Sequence, residues 1–241
     1  MGKRKLNLVI QKVLGYGGVG DCLIIIFKLL EQKQYQLYTH IESTKEKLLM
    51  CGELLDIFNI NYELVYTPNL KYWWQSNHSK FDKCFNVCAH GQIKCPPRDF
   101  HWQPCVDEGF KNSYINNTVE KKYDLCIQVN GGVKNEGKKR HINKRPILEY
   151  LNNFNFDKSK VCWVGIEETN PPFGKSFSGK SSLKQTLKVI SQSKKFIGFN
   201  SILLYWALYN KIESHLFMDH QGKYDIRIHD DWKKYLTYIN D

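Results

Sequence analysis

Two stretches of this chain combine residue types that handle phosphates and protons. Near the N-terminus, Gly15-Tyr-Gly-Gly-Val-Gly20-Asp21 follows a strand-like run and opens an apolar helix-like run. Near the C-terminus, Lys195-Phe-Ile-Gly-Phe-Asn200-Ser201 does the same. A strand that stops where a helix starts aims unsatisfied backbone N–H groups at one spot, and that spot suits a phosphate. Gly15-x-Gly17-x-x-Gly20 also satisfies the dinucleotide fingerprint, with Glu42 placed as the ribose-binding acid. Asp21 is awkward in that reading. A carboxylate in the first helical turn suits the helix dipole but repels a pyrophosphate bound there. Asp21 is therefore either a general base aimed into a cleft or a plain helix-start aspartate.

Other groupings carry weaker signals. Gly174-Lys-Ser-Phe-Ser-Gly179-Lys180-Ser181 fits the triphosphate-loop pattern, although the strand before it ends near Gly165. The plain alternative is a helix start capped by Ser181 or Ser182. Lys138-Lys139-Arg140, with Lys144 and Arg145, follows Gly131-Gly132 at the end of a strand. A cationic loop there belongs in a ligand crevice and can neutralise a diphosphate, Lys139 or Lys144 being the candidates. The alternative is a solvated charge run. Tyr72-Trp73-Trp74 beside Lys71 could stack on a base or sugar, or pack between the two halves. Cys84, Cys88, His90 and Cys95 form a loose metal-type cluster without paired zinc knuckles. Cys22, Cys51, Cys126 and Cys162 fall inside apolar runs and read as buried small hydrophobes.

The elements that would position these residues alternate between strand and helix. Lys5–Leu14 reads as a strand, Asp21–Glu31 as a helix, Gln34–Ile41 as a strand, Ser43–Asn59 as a helix and Tyr62–Tyr66 as a strand. Pro68–Ser79 reads as a loop, Phe81–Ala89 as a strand, and Trp102–Lys111 as a helix. A second series follows: strand Tyr123–Val129, loop Gly131–Asn143, helix from Pro146, strand Val161–Gly165, loop Glu167–Ser178. Helix Leu183–Ser191, strand Lys195–Phe199, helix Leu203–Tyr209 and strand Ser214–Met218 complete it. Trp232, Tyr235, Leu236 and Ile239 have helical spacing. Alternation of this kind signals parallel sheets, and the chain's 241 residues suffice for two domains. The expected fold is α/β, two Rossmann-like domains facing across a cleft. The first covers residues 1–118; the second covers 119–241 and ends in a crossing helix. The boundary falls within Asn112–Glu120.

Composition narrows the class. With 42% hydrophobic and 14% aromatic residues, the chain can build real cores and is not disordered. The formal charge of +11 favours polyanionic partners, or reflects a Lys- and Asn-rich composition. No apolar run reaches the roughly 20 residues that span a bilayer. A reduced, cytoplasmic setting is expected for eight cysteines with no secretion signal, the host cytoplasm if the source is viral.

Ser178-Gly-Lys-Ser-Ser-Leu, Phe196-Ile-Gly-Phe-Asn200-Ser201 and Ala207-Leu-Tyr-Asn together resemble the ADP-heptose:lipopolysaccharide heptosyltransferase family. In that family a GKTSL helix start leads to a VGNDSGPMHLAAA-like turn. Gly18-Val-Gly20-Asp21 resembles the same family's LGD turn. The resemblance implies the GT-B fold and an inverting, metal-independent sugar transfer from a nucleotide sugar, with no other cofactor. It implies Asp21 as the base that deprotonates the acceptor. It places Gly20, Lys139 or Lys144, Glu167 or Glu168, and Asn200 with Ser201 around the donor. The acceptor would lie near Trp73 and Trp74. This chain departs from the family at Ile202, where the family has glycine, and at Tyr205, where it has histidine. Two polyanionic acceptors are open: a phosphorylated surface glycan such as lipopolysaccharide core, or nucleic acid with a hydroxylated base. An NAD-dependent oxidoreductase and a non-catalytic nucleotide- or nucleic-acid-binding protein are the readings from other classes.

Overall fold

The structure, a computed structural model, describes residues 11–32, 35–86, 102–103, 119–133, 139–141, 144–217 and 230–239. The chain divides into two units, Met1–Phe110 and Lys111–Asp241. The sequence reading places the division at 118/119, and residues 104–118 lie outside the described set.

The first unit runs β1 (Gln11–Tyr16), α1 (Val19–Gln32), β2 (Tyr35–Glu42), α2 (Lys45–Ile57), β3 (Tyr62–Tyr66), α3 (Leu70–Asn77), β4 (Lys83–Asn86) and β5 (Trp102–Gln103). Its strands are all parallel, in the order β3-β2-β1-β4-β5. Cys22 through Phe27 on α1 are buried without a break. A helix apolar on every side must be covered on every side, here by the sheet and by α2. Leu14, Tyr16, Ile41 and Trp74 form a core cluster near the carboxyl ends of the strands.

The second unit runs β6 (Tyr123–Gln128), β7 (Asn130–Val133), β8 (Lys139–His141), α4 (Lys144–Leu151), β9 (Val161–Val164), β10 (Lys175–Ser176) and α5 (Leu183–Ser191). It continues with β11 (Ser193–Gly198), α6 (Ile202–Tyr209), β12 (Glu213–Phe217), α7 (Asp230–Lys233) and β13 (Leu236–Ile239). Its main sheet is again parallel, in the order β10-β9-β6-β11-β12-β13. This is the doubly wound arrangement, in which the third, second and first strands precede the fourth, fifth and sixth. Leu125, Cys126 and Ile127 on β6 and all of β9 are buried, as a sheet covered on both faces requires. Helix α5 starts with a reciprocal cap. The Gln185 backbone N–H donates to Ser182 Oγ at 3.2 Å, and the Ser182 N–H donates to Gln185 Oε1 at 3.1 Å.

Several elements differ from the sequence reading. Leu70–Asn77 is a helix, not a loop, because Asn69 Oδ1 caps it by accepting the Tyr72 N–H at 3.0 Å. The glycine-containing stretch after β6 is an antiparallel hairpin, with Gly131 opposite Arg140 and Val133 opposite Lys139. A Cβ at Gly131 would fall on the Phe199 ring, so only glycine lets β7 pass there. Lys175 and Ser176 pair with Cys162 and Trp163 as a strand, which leaves no triphosphate loop across Gly174–Ser181. Trp102–Gln103 is a strand beside Cys84–Phe85, not the start of a helix. The expected terminal crossing helix is also corrected. Among the described residues of the tail, Asp230–Lys233 is helical and Leu236–Ile239 joins β12 as a parallel edge strand. Thr237 and Ile239 are β-branched and Tyr238 is aromatic, and the edge of β12 gives the segment backbone partners.

Strand β13 puts Ile239 into the core beside Ile197 and Phe217. Ile239→Ala should lower the stability of the second unit by about 2–4 kcal/mol in urea unfolding. A helix crossing over the surface at this position would make the change nearly silent.

Candidate functional site

In a doubly wound sheet, ligands bind beyond the carboxyl ends of the strands where successive connections leave in opposite directions. In the second unit that point lies between β6 and β11. Strand β6 ends in Gln128, followed by Val129 and Asn130, and both polar side chains are buried. Buried amides require partners. Ser201 Oγ donates to Gln128 Oε1 at 2.8 Å, and Gln128 Nε2 donates to the Asn130 carbonyl at 3.3 Å. Asn130 Oδ1 accepts the Glu167 backbone N–H at 3.0 Å. Its Nδ2 donates to the Glu167 carbonyl at 3.2 Å and meets Thr169 Oγ1 at 3.3 Å. Ser178 Oγ donates to that same carbonyl. Four chain segments are thereby tied together: the end of β6, the turn after β9, the Ser178 loop and the start of α6. Gly165 and Gly198 make room for the network, since a Cβ at either would collide with Asn130 or Gln128.

Ser201 is the N-cap of α6, its Oγ accepting the Leu203 N–H at 3.2 Å. Ser201 therefore joins the buried amides to the positive end of a helix. Asn200 and Ser201 are both half-buried, at the place expected for a phosphate turn. Glu167 contributes its backbone to the network and follows β9, where an acid can meet a ribose. Glu168 pairs with Lys180 at 2.6 Å, both side chains being largely exposed. Lys139 opens β8 and Lys144 opens α4; the side chains of both lie outside the described set. The β7–β8 pairing nevertheless brings Lys139–His141 alongside the chain leaving β6.

The first unit builds a different turn. Gly15 is inside β1, opposite His40 and Phe85, and a Cβ there would strike Tyr38. Gly17 has φ +132°, a conformation suited to glycine, and a Cβ on it would lie 2.6 Å from the Asp21 carboxylate. Gly20 sits in the first turn of α1. Asp21, three residues past the cap position, accepts the Gly18 N–H on Oδ2 at 2.8 Å. This is half of a capping box, so the helix-start role is real. It also holds the half-buried carboxylate at the carboxyl end of β1. Glu42 is buried, and its Oε1 accepts the Ser43 and Thr44 N–H groups at 2.7 and 3.2 Å. That carboxylate is occupied in starting α2.

One of the two aromatic assignments changes. Trp74 is 2% exposed and packs edge-on to Tyr16 at 5.2 Å, so it is a core residue and no stacking platform. Trp73 is half-buried and tilts against Phe81 at 6.4 Å. Tyr72, 69% exposed, is the ring of the three that faces solvent. Cys84 is buried, and its burial pushes the thiol well above the ordinary range. Cys88, His90 and Cys95 lie outside the described residues. Sequence reasoning passed over Gln128, Asn130 and Thr169. The signal for Gln128 and Asn130 was polarity at the end of an otherwise apolar strand.

Each unit is thus a doubly wound parallel α/β sheet that runs outward from its first strand. Comparison with solved structures gives the particulars. The chain is similar to E. coli ADP-heptose lps heptosyltransferase II, with a TM-score of 0.53 and 11% identity over 95% of this chain and 90% of that one. It is similar to E. coli heptosyltransferase WaaC with ADP-2-deoxy-2-fluoro heptose, at a TM-score of 0.52 and 8% identity over 95% and 92%. A glycosyl transferase family 9 protein from Veillonella parvula DSM 2008 gives 0.51 and 8% over 98% and 87%. At these identities the likeness is one of fold. No protein-family model and no curated protein sequence matches the chain.

Asn130→Ala would take the partner from the Glu167 N–H, while the Glu167 carbonyl keeps the Ser178 hydroxyl. The change should cost about 1–3 kcal/mol, read as a drop in the urea midpoint at unchanged slope. Glu168→Gln, which breaks only an exposed pair, should change stability by less than about 1 kcal/mol.

Proposed function

We propose that this protein is a glycosyltransferase that moves a sugar from a nucleotide-sugar donor to a hydroxyl acceptor. The observation that carries the reading is the amide-and-hydroxyl network at the β6/β11 switch point, which ends at the capped start of α6. That arrangement suits a diphosphate, and it sits in a fold shared with solved heptosyltransferases. The donor's diphosphate would lie against Asn200, Ser201 and the first turn of α6. Lys139 and Lys144 would supply positive charge, and Glu167 or Glu168 would meet the ribose. Gln128 and Asn130 would position this cradle from beneath.

Asp21 is the proposed general base, with Gly20 in the same turn. The acceptor hydroxyl gives its proton to the Asp21 carboxylate as its oxygen attacks the anomeric carbon. The bond from that carbon to the diphosphate oxygen breaks on the opposite face, so the configuration inverts. The charge released on the diphosphate is met by the helix start and the lysines, which makes the transfer independent of a divalent cation. Trp73 and the exposed Tyr72 would line the acceptor. The charge of +11 favours a polyanionic acceptor, a phosphorylated glycan or a nucleic acid with a hydroxylated base. Among the described residues no helix is long and apolar enough to cross a membrane. Nucleotide sugars as donors favour the cytoplasm as the place of action. The engagement of Glu42 with the α2 start argues against NAD, whose ribose would need that carboxylate.

Thermal-shift measurements with ADP-, UDP- and GDP-sugars, NAD and DNA should raise Tm with a nucleotide sugar. Stabilisation by NAD alone would overturn the reading. Asp21→Asn keeps an oxygen for the Gly18 N–H. It should retain donor binding while turnover falls about 100-fold or more. Unchanged turnover would remove Asp21 from the mechanism.

A further inference from the structure

Two thiols and an imidazole converge inside the first unit. Cys22 is on α1, His40 on β2 and Cys51 on α2, and all three are fully buried. One donor atom from each, two Sγ and a ring nitrogen, lies within 4.8 Å of the other two. The buried thiols of the second unit provide a contrast. There Cys162 Sγ meets the Leu125 carbonyl at 3.5 Å and Ser193 Oγ at 3.7 Å.

The ring's proton can be placed from its partners. His40 Nε2 is 3.1 Å from the Gly17 carbonyl, which can only accept, so Nε2 carries hydrogen and donates. Nδ1 then holds the lone pair, and the Tyr38 hydroxyl donates to it at 2.6 Å. A histidine that gives one N–H to a backbone carbonyl and keeps a basic second nitrogen is oriented as imidazole metal ligands are. Two thiolates in so dry a setting would call for a cation to balance them.

We propose that Cys22, Cys51 and His40 bind one zinc ion in a structural site that fastens α1 and α2 to β2. Two thiolates and a neutral imidazole are a donor set that zinc favours. Both thiols lose their protons to solvent on binding, so the two thiolates balance the charge of the ion. Zn–S bonds of about 2.3 Å and a Zn–N bond of about 2.0 Å set tetrahedral donors roughly 3.6 Å apart, a spacing inside the 4.8 Å span of the three donor atoms. The Tyr38 hydroxyl turns away from Nδ1 and is the adjacent oxygen for the fourth position. The Cys22 N–H donates to the Gly18 carbonyl at 3.0 Å, and His40 bonds to Gly17. A bound ion would therefore also stiffen the turn that carries Asp21. The site does not depend on glycosyl transfer.

The test uses the full chain, reduced and stripped of metal with a chelator. Zinc is titrated in competition with a chromophoric chelator, and cobalt(II) is then substituted for spectroscopy. The proposal expects one tight equivalent of zinc. It also expects a thiolate-to-cobalt charge-transfer band with the visible bands of a tetrahedral ion. Cys51→Ser should abolish both, with its fold checked by circular dichroism, while Cys126→Ser should keep both. Cys88→Ser/Cys95→Ser should also retain the equivalent, which separates this site from the other cysteine cluster. Should Cys51→Ser fail to fold, X-ray absorption of zinc in the Cys88→Ser/Cys95→Ser protein decides. Two sulfurs and an imidazole support the site, and any other sulfur count overturns it. No stoichiometric zinc in the wild type, retention in folded Cys51→Ser, or loss in Cys88→Ser/Cys95→Ser would likewise overturn it.

Discussion

The constraint behind the candidate donor site is that two amides, Gln128 and Asn130, are buried where a parallel strand ends. Away from water neither can be left unpaired, because an orphaned buried amide costs more than a made hydrogen bond returns. No single loop supplies all their partners. Asn130 takes a backbone N–H and a carbonyl from Glu167, and Gln128 takes a hydroxyl from Ser201. A strand end, two loops and a helix start are therefore held in one arrangement by a requirement of solvation. The glycines at 165 and 198 follow from it, since any side chain would displace the amides. Rigidity of this kind suits a site that must present N–H dipoles to a charged group without rearranging.

The first unit solves a related problem with other chemistry. Its turn depends on Gly17 at positive φ, on Asp21 reaching back to Gly18, and on His40 holding the Gly17 carbonyl from below. The helix-start and catalytic readings of Asp21 are compatible here. The hydrogen bond that caps α1 also fixes the direction of the carboxylate. Beneath the turn, the buried thiols of Cys22 and Cys51 place reactive groups where α1 otherwise presents only hydrocarbon.

The elements misread from sequence share a cause. Tyr72-Trp73-Trp74 looks like a solvent-facing aromatic cluster, but Asn69 starts a helix and its geometry sends Trp74 onto Tyr16. The tail has helical spacing, yet the free edge of β12 offers hydrogen bonds that four residues of helix cannot match. The hairpin after β6 and the two-residue β10 arise in the same way, from partners distant in sequence. In each case a non-local partner overrode a local pattern.

What the sequence determined by itself was the alternation of strand and helix, the two glycine- or serine-marked turns, and the residues Asp21, Asn200 and Ser201 that stand at them. These are local signals, set by hydrophobic period and by which residues can begin a helix. The tertiary structure alone decided strand order, the burial of Trp74, the union of Gln128, Asn130, Glu167 and Ser178, and the meeting of Cys22, His40 and Cys51. Those groups lie far apart along the chain and meet only because parallel strands bring their carboxyl ends together and cover both faces with helices.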